Sequence, residues 1–298
     1  MPELPEVETV RAGLANHVIG ATVKDIEVLD QRSLKRNFSG AKGFVEELRN
    51  KKLEGVVRRG KFLWLPISSS RALVCHLGMS GQVLVRSDGY EEDKLNRITL
   101  RLEKPNGEEI EMRFVDQRLF GGMQIDDLVL TKDHAPAGFF PEGSPDSQIP
   151  ISVAHIARDL LDPNFDRQSV VSKMRRKNSG IKRVLLDQNL LSGIGNIYAD
   201  ESLWRSKIHY DKPASSIATR KLVELIDQAS EVLREAVERG GTSFDQQYKN
   251  VNGESGYFSQ ELNAYSRAGL PCARCGTSIK REAWANRSSY FCPKCQRR

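Results

Sequence analysis

The chain reads as an α+β protein of several domains, and three observations carry that reading. The first half is a run of short alternating apolar segments opened by one amphipathic helix. The second half switches to helical periodicity, and the end carries four cysteines in two paired knuckles. At 298 residues the chain is long enough for two domains with cores of their own. Hydrophobic residues make up 39% and charged residues 28%, a globular balance. No apolar run reaches the roughly eighteen residues that a membrane span needs. The acidic, proline-punctuated N-terminus does not read as a signal peptide, which predicts a cytoplasmic protein with reduced thiols.

Taken in order, Val7, Val10, Leu14 and Val18 recur at helical spacing and predict a helix over 5–18, ended by Gly20. A strand pattern follows at 21–29 and a short helix at 41–50. From Leu53 to Ile125 the pattern is one of successive strands, clearest at 62–65, 72–75 and 82–85. Ile98, Leu100 and Leu102 alternate with polar residues, as do Ile110, Met112 and Phe114. Asn106-Gly107 between them predicts a type I′ hairpin turn. Pro136, Pro141, Pro145 and Pro150 mark a linker over 136–150 that closes a first domain at 1–135. Helices are predicted over 151–161, 167–177, 181–188, 197–206 and 214–239. The polar segment 241–256, rich in Gly, Ser and Asn, predicts a mobile loop ending a second domain at 151–256. Residues 257–298 form a third.

Forty-five basic against 39 acidic residues give a net charge of +6, which points to an acidic partner. The excess is clustered. Residues 167–186 hold Arg167, Lys173, Arg175, Arg176, Lys177, Lys182 and Arg183 with no acid, and 267–298 hold eight basic residues against Glu282 alone. Two such clusters, each beside a motif, favour phosphate contact over a merely solvated face.

Cys272-x2-Cys275-x16-Cys292-x2-Cys295 has zinc-ribbon spacing, two knuckles facing each other across a hairpin. Four thiolates complete a tetrahedral shell, so one structural Zn2+ with no open position is expected. Cys75, in an apolar strand, reads as a small buried hydrophobe.

Two further segments carry chemistry. Removal of Met1 would leave Pro2 with a free secondary amine, a nucleophile able to form an iminium without first losing a side-chain proton, beside the carboxylates Glu3 and Glu6. Alone, the same residues read better as the first turn of a helix, and it is the rest of the chain that favours the nucleophile. The turn Leu191-Ser192-Gly193-Ile194-Gly195-Asn196 lies between two predicted helices, where glycines let backbone approach an anion and a helix starts with exposed N–H groups. A plain tight turn fits it as well.

Together these segments resemble the formamidopyrimidine-DNA glycosylase family, over nearly the whole chain. The matching residues are Pro2 to Val10, Arg58-Arg59-Gly60-Lys61, Leu77-Gly78-Met79-Ser80-Gly81 and Asp116-Gln117-Arg118-Leu119-Phe120-Gly121. Further matches are Gly193 to Glu201, Gly240-Gly241-Thr242-Ser243 and the cysteine ribbon. The resemblance implies an N-terminal antiparallel β-sandwich with flanking helices, a helical helix-two-turn-helix domain and the zinc ribbon. It implies a monomeric bacterial enzyme of base excision repair, nucleoid-associated through double-stranded damaged DNA. The damaged nucleotide must leave the stack to be reached. Met79, Arg118 and Phe120 match the wedge that replaces it, two apolar plugs and an arginine for the orphaned partner base. Pro2 matches the nucleophile, Glu3 the general acid/base, and Lys61 the lysine that assists β-elimination. Arg287 matches the arginine of δ-elimination and phosphate clamping. Lys177 and Asn196 match further phosphate contacts, Glu201 a carboxylate near the flipped sugar, and Glu6 one that positions water.

Two departures stand out. Where relatives carry a His near residue 95, this chain has Lys94-Leu95-Asn96-Arg97, so that DNA contact is lost or passes to Lys94 or Arg97. In the loop that covers the flipped base, Asp245 stands near where many relatives place a basic residue. The rival readings are an endonuclease VIII-like enzyme for oxidised pyrimidines, a DNA-binding paralogue without catalysis, and an RNA-binding ribbon protein. Leu4 in place of glycine and the complete wedge argue against the first. Intact Pro2, Glu3 and Lys61 argue against the second, and the third leaves Pro2-Glu3 and the wedge unexplained.

Overall fold

The computed structural model describes residues 2–87, 91–141, 147–241 and 261–298. They fall into two compact units, one within Met1–His155 together with the segment that starts at Gly240, the other within Ile156–Arg239 and Tyr257–Arg298. No helix among the described residues is long and apolar enough to cross a membrane.

In the first unit, helix α1 spans Leu4–Val18 and buries Val7, Val10, Leu14 and Val18, the predicted stripe. The strands are β1 (Thr22–Val28), β2 (Val57–Arg59), β3 (Phe62–Ser68), β4 (Arg71–His76), β5 (Gly81–Ser87), β6 (Asn96–Glu103), β7 (Glu109–Asp116), β8 (Gly122–Leu130) and β9 (Gln148–Pro150). Helix α2 (Gly40–Leu48) follows β1. They form two antiparallel sheets, β1-β6-β7-β5 and β2-β3-β4-β8-β9. Alternation turns Val83, Ile98, Leu100, Met112 and Phe114 of one sheet, and Leu63, Leu65, Leu73, Cys75 and Ile125 of the other, into a single core with α1. This is the β-sandwich that the sequence implies, and Cys75 is fully buried in it.

The Asn106-Gly107 turn differs from expectation. Gly107 donates to Lys104 C=O, which makes Pro105 and Asn106 the central residues, and of Asn106 and Gly107 only Gly107 has a positive φ, at +84°. A type I′ turn needs both in the left-handed region, whereas Pro105 pins the φ before them and shifts the turn one residue back. The proline-rich stretch also does more than connect. β9 adds to the edge of the second sheet through β8, and Phe139 exchanges backbone hydrogen bonds with Arg58.

The second unit holds α3 (Arg167–Arg175), α4 (Ile181–Leu185), α5 (Asn196–Arg205) and α6 (Thr219–Glu238), then β10 (Lys280–Trp284) and β11 (Arg287–Phe291). α3 starts where the Asp166 carboxylate accepts the Ser169 N–H. α6 buries Leu222, Leu225, Ile226, Ala229 and Leu233. Two helix predictions need correction. Residues 151–161 form only a single 3-10 turn, Ile151–Val153. Beyond it Asp159 and Asp162 accept the N–H groups of Leu161 and Asn164, local bonds that compete with a helix, and residues 157–158 pair instead with 188–192. The segment 214–239 begins as a 3-10 turn, Ala214–Ser216, and α6 starts only after Ile217, which is extended. The predicted loop 241–256 lies outside the described residues from Thr242 onward, and Asp245 with it.

Candidate active site and nucleic-acid interface

Pro2 and Glu3 sit at the N-terminal tip of α1. Glu3 is the N-cap, its backbone extended, and it forms a capping box with Glu6: the Glu6 carboxylate accepts the Glu3 N–H at 2.8 Å and the Glu3 carboxylate accepts the Glu6 N–H. Glu3 is 3% exposed and Pro2 is also buried, so α1 fixes both rigidly to the sandwich core. Glu6 is thereby engaged in holding the helix start, the role its position in a first turn allows.

Lys61 lies in the turn between β2 and β3, after Gly60 with φ +57°. A buried network ties this turn to α1 through Glu8 and Arg58, which lie in the matching motifs, though the resemblance assigns them no role. Arg58 Nε donates to Glu8 Oε2 at 2.7 Å, Arg11 Nε donates to Glu8 Oε1 at 2.9 Å, and Arg58 Nη1 donates to Gly60 C=O at 3.2 Å. Both guanidinium groups also stack over Phe139, at 5.4 and 5.6 Å from the ring centroid. A charged pair at i and i+3 of an otherwise apolar helix face, Glu8 and Arg11, was the available signal. The helix that carries Pro2 and the turn that carries Lys61 are therefore braced by one carboxylate.

The wedge residues are exposed tips, as their flanking glycines predict. Met79 is 39% and Phe120 52% exposed, and Arg118 is exposed beside them. Met79 lies in the β4–β5 turn and the other two in the β7–β8 turn. Arg97, one of two candidates for the missing His contact, is committed elsewhere. Its Nε donates to Asp116 C=O at 2.9 Å and its Nη1 to Asp30 at 3.3 Å. That leaves loss of the contact, or Lys94, which is exposed.

In the second unit, α4, two turns over 186–195 and α5 form the helix-two-turn-helix. The Gln188 carboxamide holds it, donating to the carbonyls of Leu186 and Ile194 and accepting the Gly193 N–H at 3.0 Å. Gly193 takes φ +90°, and Gly195 caps α5. Lys177 is half-exposed and pairs with Asp187 at 2.8 Å, a surface pair that a phosphate can replace. Asn196 donates from Nδ2 to Ser288 C=O at 3.0 Å, so its side chain reaches the ribbon hairpin.

Lys182 corrects the reading of the basic cluster. It is fully buried, paired with Asp200 at 2.7 Å, donates to Ser289 Oγ and Ser288 C=O, and lies over the Trp284 ring, so it is a docking residue and not a phosphate contact. Burial pushes the Asp200 carboxyl up to about 7, against the pull of the Lys182 ammonium. Glu201 is buried too. Its carboxylate accepts the backbone N–H groups of Asn263, Ala264 and Tyr265, at 2.8–3.1 Å. Burial raises its pKa and those N–H groups pull it back. Its acceptor capacity anchors the chain entering the ribbon. β10 and β11 are joined by Ala285 and Asn286, both left-handed (φ 43° and 61°), a type I′ turn that presents exposed Arg287 at the hairpin tip.

Cys272, Cys275, Cys292 and Cys295 place their sulfurs within 4.8 Å of one another. Sulfurs about 2.3 Å from one tetrahedral zinc lie about 3.8 Å apart, and Cys275 and Cys292 are 3.5 Å apart, so the set fits that ion. Trp204 of α5 donates to Cys272 Sγ and packs with Ile279 and Cys292, joining the ribbon to the helices.

The two folds and their exposed basic tips define a DNA glycosylase with a zinc finger. Comparison with known proteins agrees throughout. The formamidopyrimidine-DNA glycosylase N-terminal domain matches residues 1–123, the H2TH domain of the same enzymes 156–247, and the zinc finger found in FPG and IleRS 269–298. The formamidopyrimidine-DNA glycosylase of Leifsonia xyli is 54% identical over 299 residues, covering all of both chains, and that of a Nocardioides species 50% identical over 99% of this chain and 94% of its own. Among solved structures, a Lactococcus lactis FPG mutant with a Fapy-dG containing DNA has a TM-score of 0.82 at 29% identity, covering all of both chains. The Lactococcus lactis Fpg with an abasic site containing DNA has 0.81 at 29% identity, covering 99% of this chain and 100% of that one. The chain belongs to the formamidopyrimidine-DNA glycosylase family. Its four cysteines are positioned to bind one zinc ion.

Proposed function

We propose that this chain excises oxidised purines, 8-oxoguanine and formamidopyrimidines, from duplex DNA and then cleaves the strand, with Pro2 as nucleophile. The observation that carries the reading is the placement of Pro2 and Glu3 at the tip of an anchored helix whose brace, Glu8–Arg58, also holds the turn of Lys61.

The Pro2 amine, free once Met1 is gone, attacks C1′ of the flipped sugar. The C1′–N bond to the base breaks, and Glu3 transfers the proton that lets the base and then the ring oxygen depart. The resulting iminium acidifies the C2′ proton. Its removal, assisted by Lys61, expels the 3′ phosphate, and Arg287 clamps phosphate for the second elimination at C5′. Met79, Arg118 and Phe120 fill the emptied stack, Lys177 and Asn196 contact phosphates, and zinc, when bound to the four cysteines, holds the ribbon that carries Arg287. Glu6 and Glu201 act by fixing backbone. We read the enzyme as a monomer of the bacterial cytoplasm acting on the nucleoid.

The test is a duplex with one 8-oxoguanine opposite cytosine, beside one with thymine glycol. Base release and a strand break ending in phosphates on the first, at a higher kcat/KM than on the second, is the expected result. Preference for thymine glycol would move the chain to the pyrimidine branch.

A further inference from the structure

The wedge residues come from two turns far apart in sequence, yet they must enter one gap in a duplex together. Asp116, the last residue of β7, joins those turns. Its carboxylate is fully buried and faces three donors: Oδ1 accepts the Ser80 hydroxyl at 2.5 Å and the Arg118 N–H at 3.1 Å, and Oδ2 accepts the Gly121 N–H at 2.9 Å. Ser80, itself 3% exposed, accepts the Arg118 N–H at 3.0 Å in turn. Thus the residue after Met79 and the backbone on either side of Phe120 converge on one group.

The two turns also touch. A Cβ on Gly78 would lie 2.4 Å from the Gly121 nitrogen. Leu119, between Arg118 and Phe120, is left-handed at φ 55°, a conformation disfavoured for a residue with a side chain. Lys35 holds it from outside, donating to Leu119 C=O at 2.8 Å.

We propose that Asp116, acting through Ser80, is a positioning residue that makes Met79, Arg118 and Phe120 one rigid plug. Three converging donors require an acceptor-only group, and a carboxylate is the one side chain that supplies it. Asparagine would set an NH2 group against an N–H or an O–H and release one turn. The proposal rests on the wedge reading above.

The test compares D116N and S80A with the parent enzyme in single-turnover excision of 8-oxoguanine from duplex, and in cleavage of an abasic site in single-stranded DNA, which needs no plug. Fluorescence of 2-aminopurine next to the lesion reports insertion. For D116N, duplex excision and the fluorescence change are expected to fall about tenfold or more, with single-strand cleavage within roughly twofold, because loosened positioning is costly only where geometry is demanded. S80A, which leaves the Gly121 bond intact, is the milder variant should D116N fold poorly, and it shows the same split. In an M79A/F120A background, D116N adds at most about a twofold further loss, because residues that act as a unit are not additive. Equal loss in both assays, an undiminished effect in the tip-less background, or duplex excision by folded D116N at the parent rate would overturn the proposal. If M79A/F120A itself leaves insertion unchanged, it is the wedge reading that fails.

Discussion

Arg58 Nε and Glu8 Oε2 lie 2.7 Å apart, with the Arg58 side chain fully buried and that of Glu8 7% exposed. The pair joins the helix that presents Pro2 to the turn that presents Lys61, so two groups 59 positions apart in the chain share one frame.

Breaking that pair from the arginine side leaves Glu8 with Arg11 and empties a fully buried site. Arg58→Ala is expected to cost about 1–3 kcal/mol, read as a lower denaturant midpoint, and to lower strand cleavage even where the protein stays folded. Glu8→Gln keeps the shape but takes the shared carboxylate from two buried guanidinium groups, so it should cost at least as much. Unchanged stability for both variants would show that the network does not brace the site.

On the proposed interface, duplex binding should weaken steeply with salt, since Arg287 at the hairpin tip and half-exposed Lys177 would replace counterions on phosphates. Lys177→Ala should reduce the slope of log K against log salt by about one and affect all sequences alike. A salt-independent affinity would contradict this interface.

Zinc removal should abolish duplex binding while the sandwich stays folded. The ribbon meets the helices through Trp204, Cys272 and Ile279, whereas the sandwich has a core of its own. Binding assays after chelation, with near-UV signals from Trp64 and Trp204 followed separately by substitution, check both halves. Retained binding after verified metal loss would contradict it.

His76 gives a pH signature. Burial, with Arg36 and Lys35 nearby, lowers its pKa to about 4, against the opposing pull of Asp116. An unfolded His titrates near 6.5, so between pH of about 6.5 and 4 unfolding takes up a proton that the folded state refuses. The stability held above that window is lost as pH falls through it, at no more than about 1.4 kcal/mol per pH unit. His76→Phe should flatten that part of the profile in urea titrations at pH 7 and 5. An identical profile would show that His76 is not the titrating group.

The elements set by periodicity were legible in the sequence. The α1 stripe, the alternating strands and α6 fall where apolar spacing puts them, because burial of one face dictates that spacing. Local competition was harder to read. The pattern at 151–161 is helical, yet Asp159 and Asp162 divert its backbone into turns. The type I′ turn sits at Ala285-Asn286, where the alanine carries no turn signal, and not at Asn106-Gly107, where Pro105 intervenes. For the site, the spacing of the four cysteines announced a metal set, whereas the roles of Pro2, Glu3 and Lys61 were carried by the family resemblance. Lys182 read as a phosphate contact because charge is visible in a sequence and burial is not. Glu8 and Asp116 each join a near partner to a distant one, Arg58 and Ser80, and no local pattern reveals the distant half; Gln188 holds only neighbours within six residues, yet a polar residue in a turn does not show which of them it bonds.

The most direct measurement is borohydride trapping on a duplex with one 8-oxoguanine opposite cytosine, followed by mass spectrometry of the adduct, using protein verified to begin at Pro2. A covalent adduct mapped to Pro2 is the predicted result, since reduction fixes the iminium on the attacking nitrogen. No adduct, with an abasic duplex also untrapped, or an adduct mapped to Lys61, would contradict the assignment of Pro2 as nucleophile.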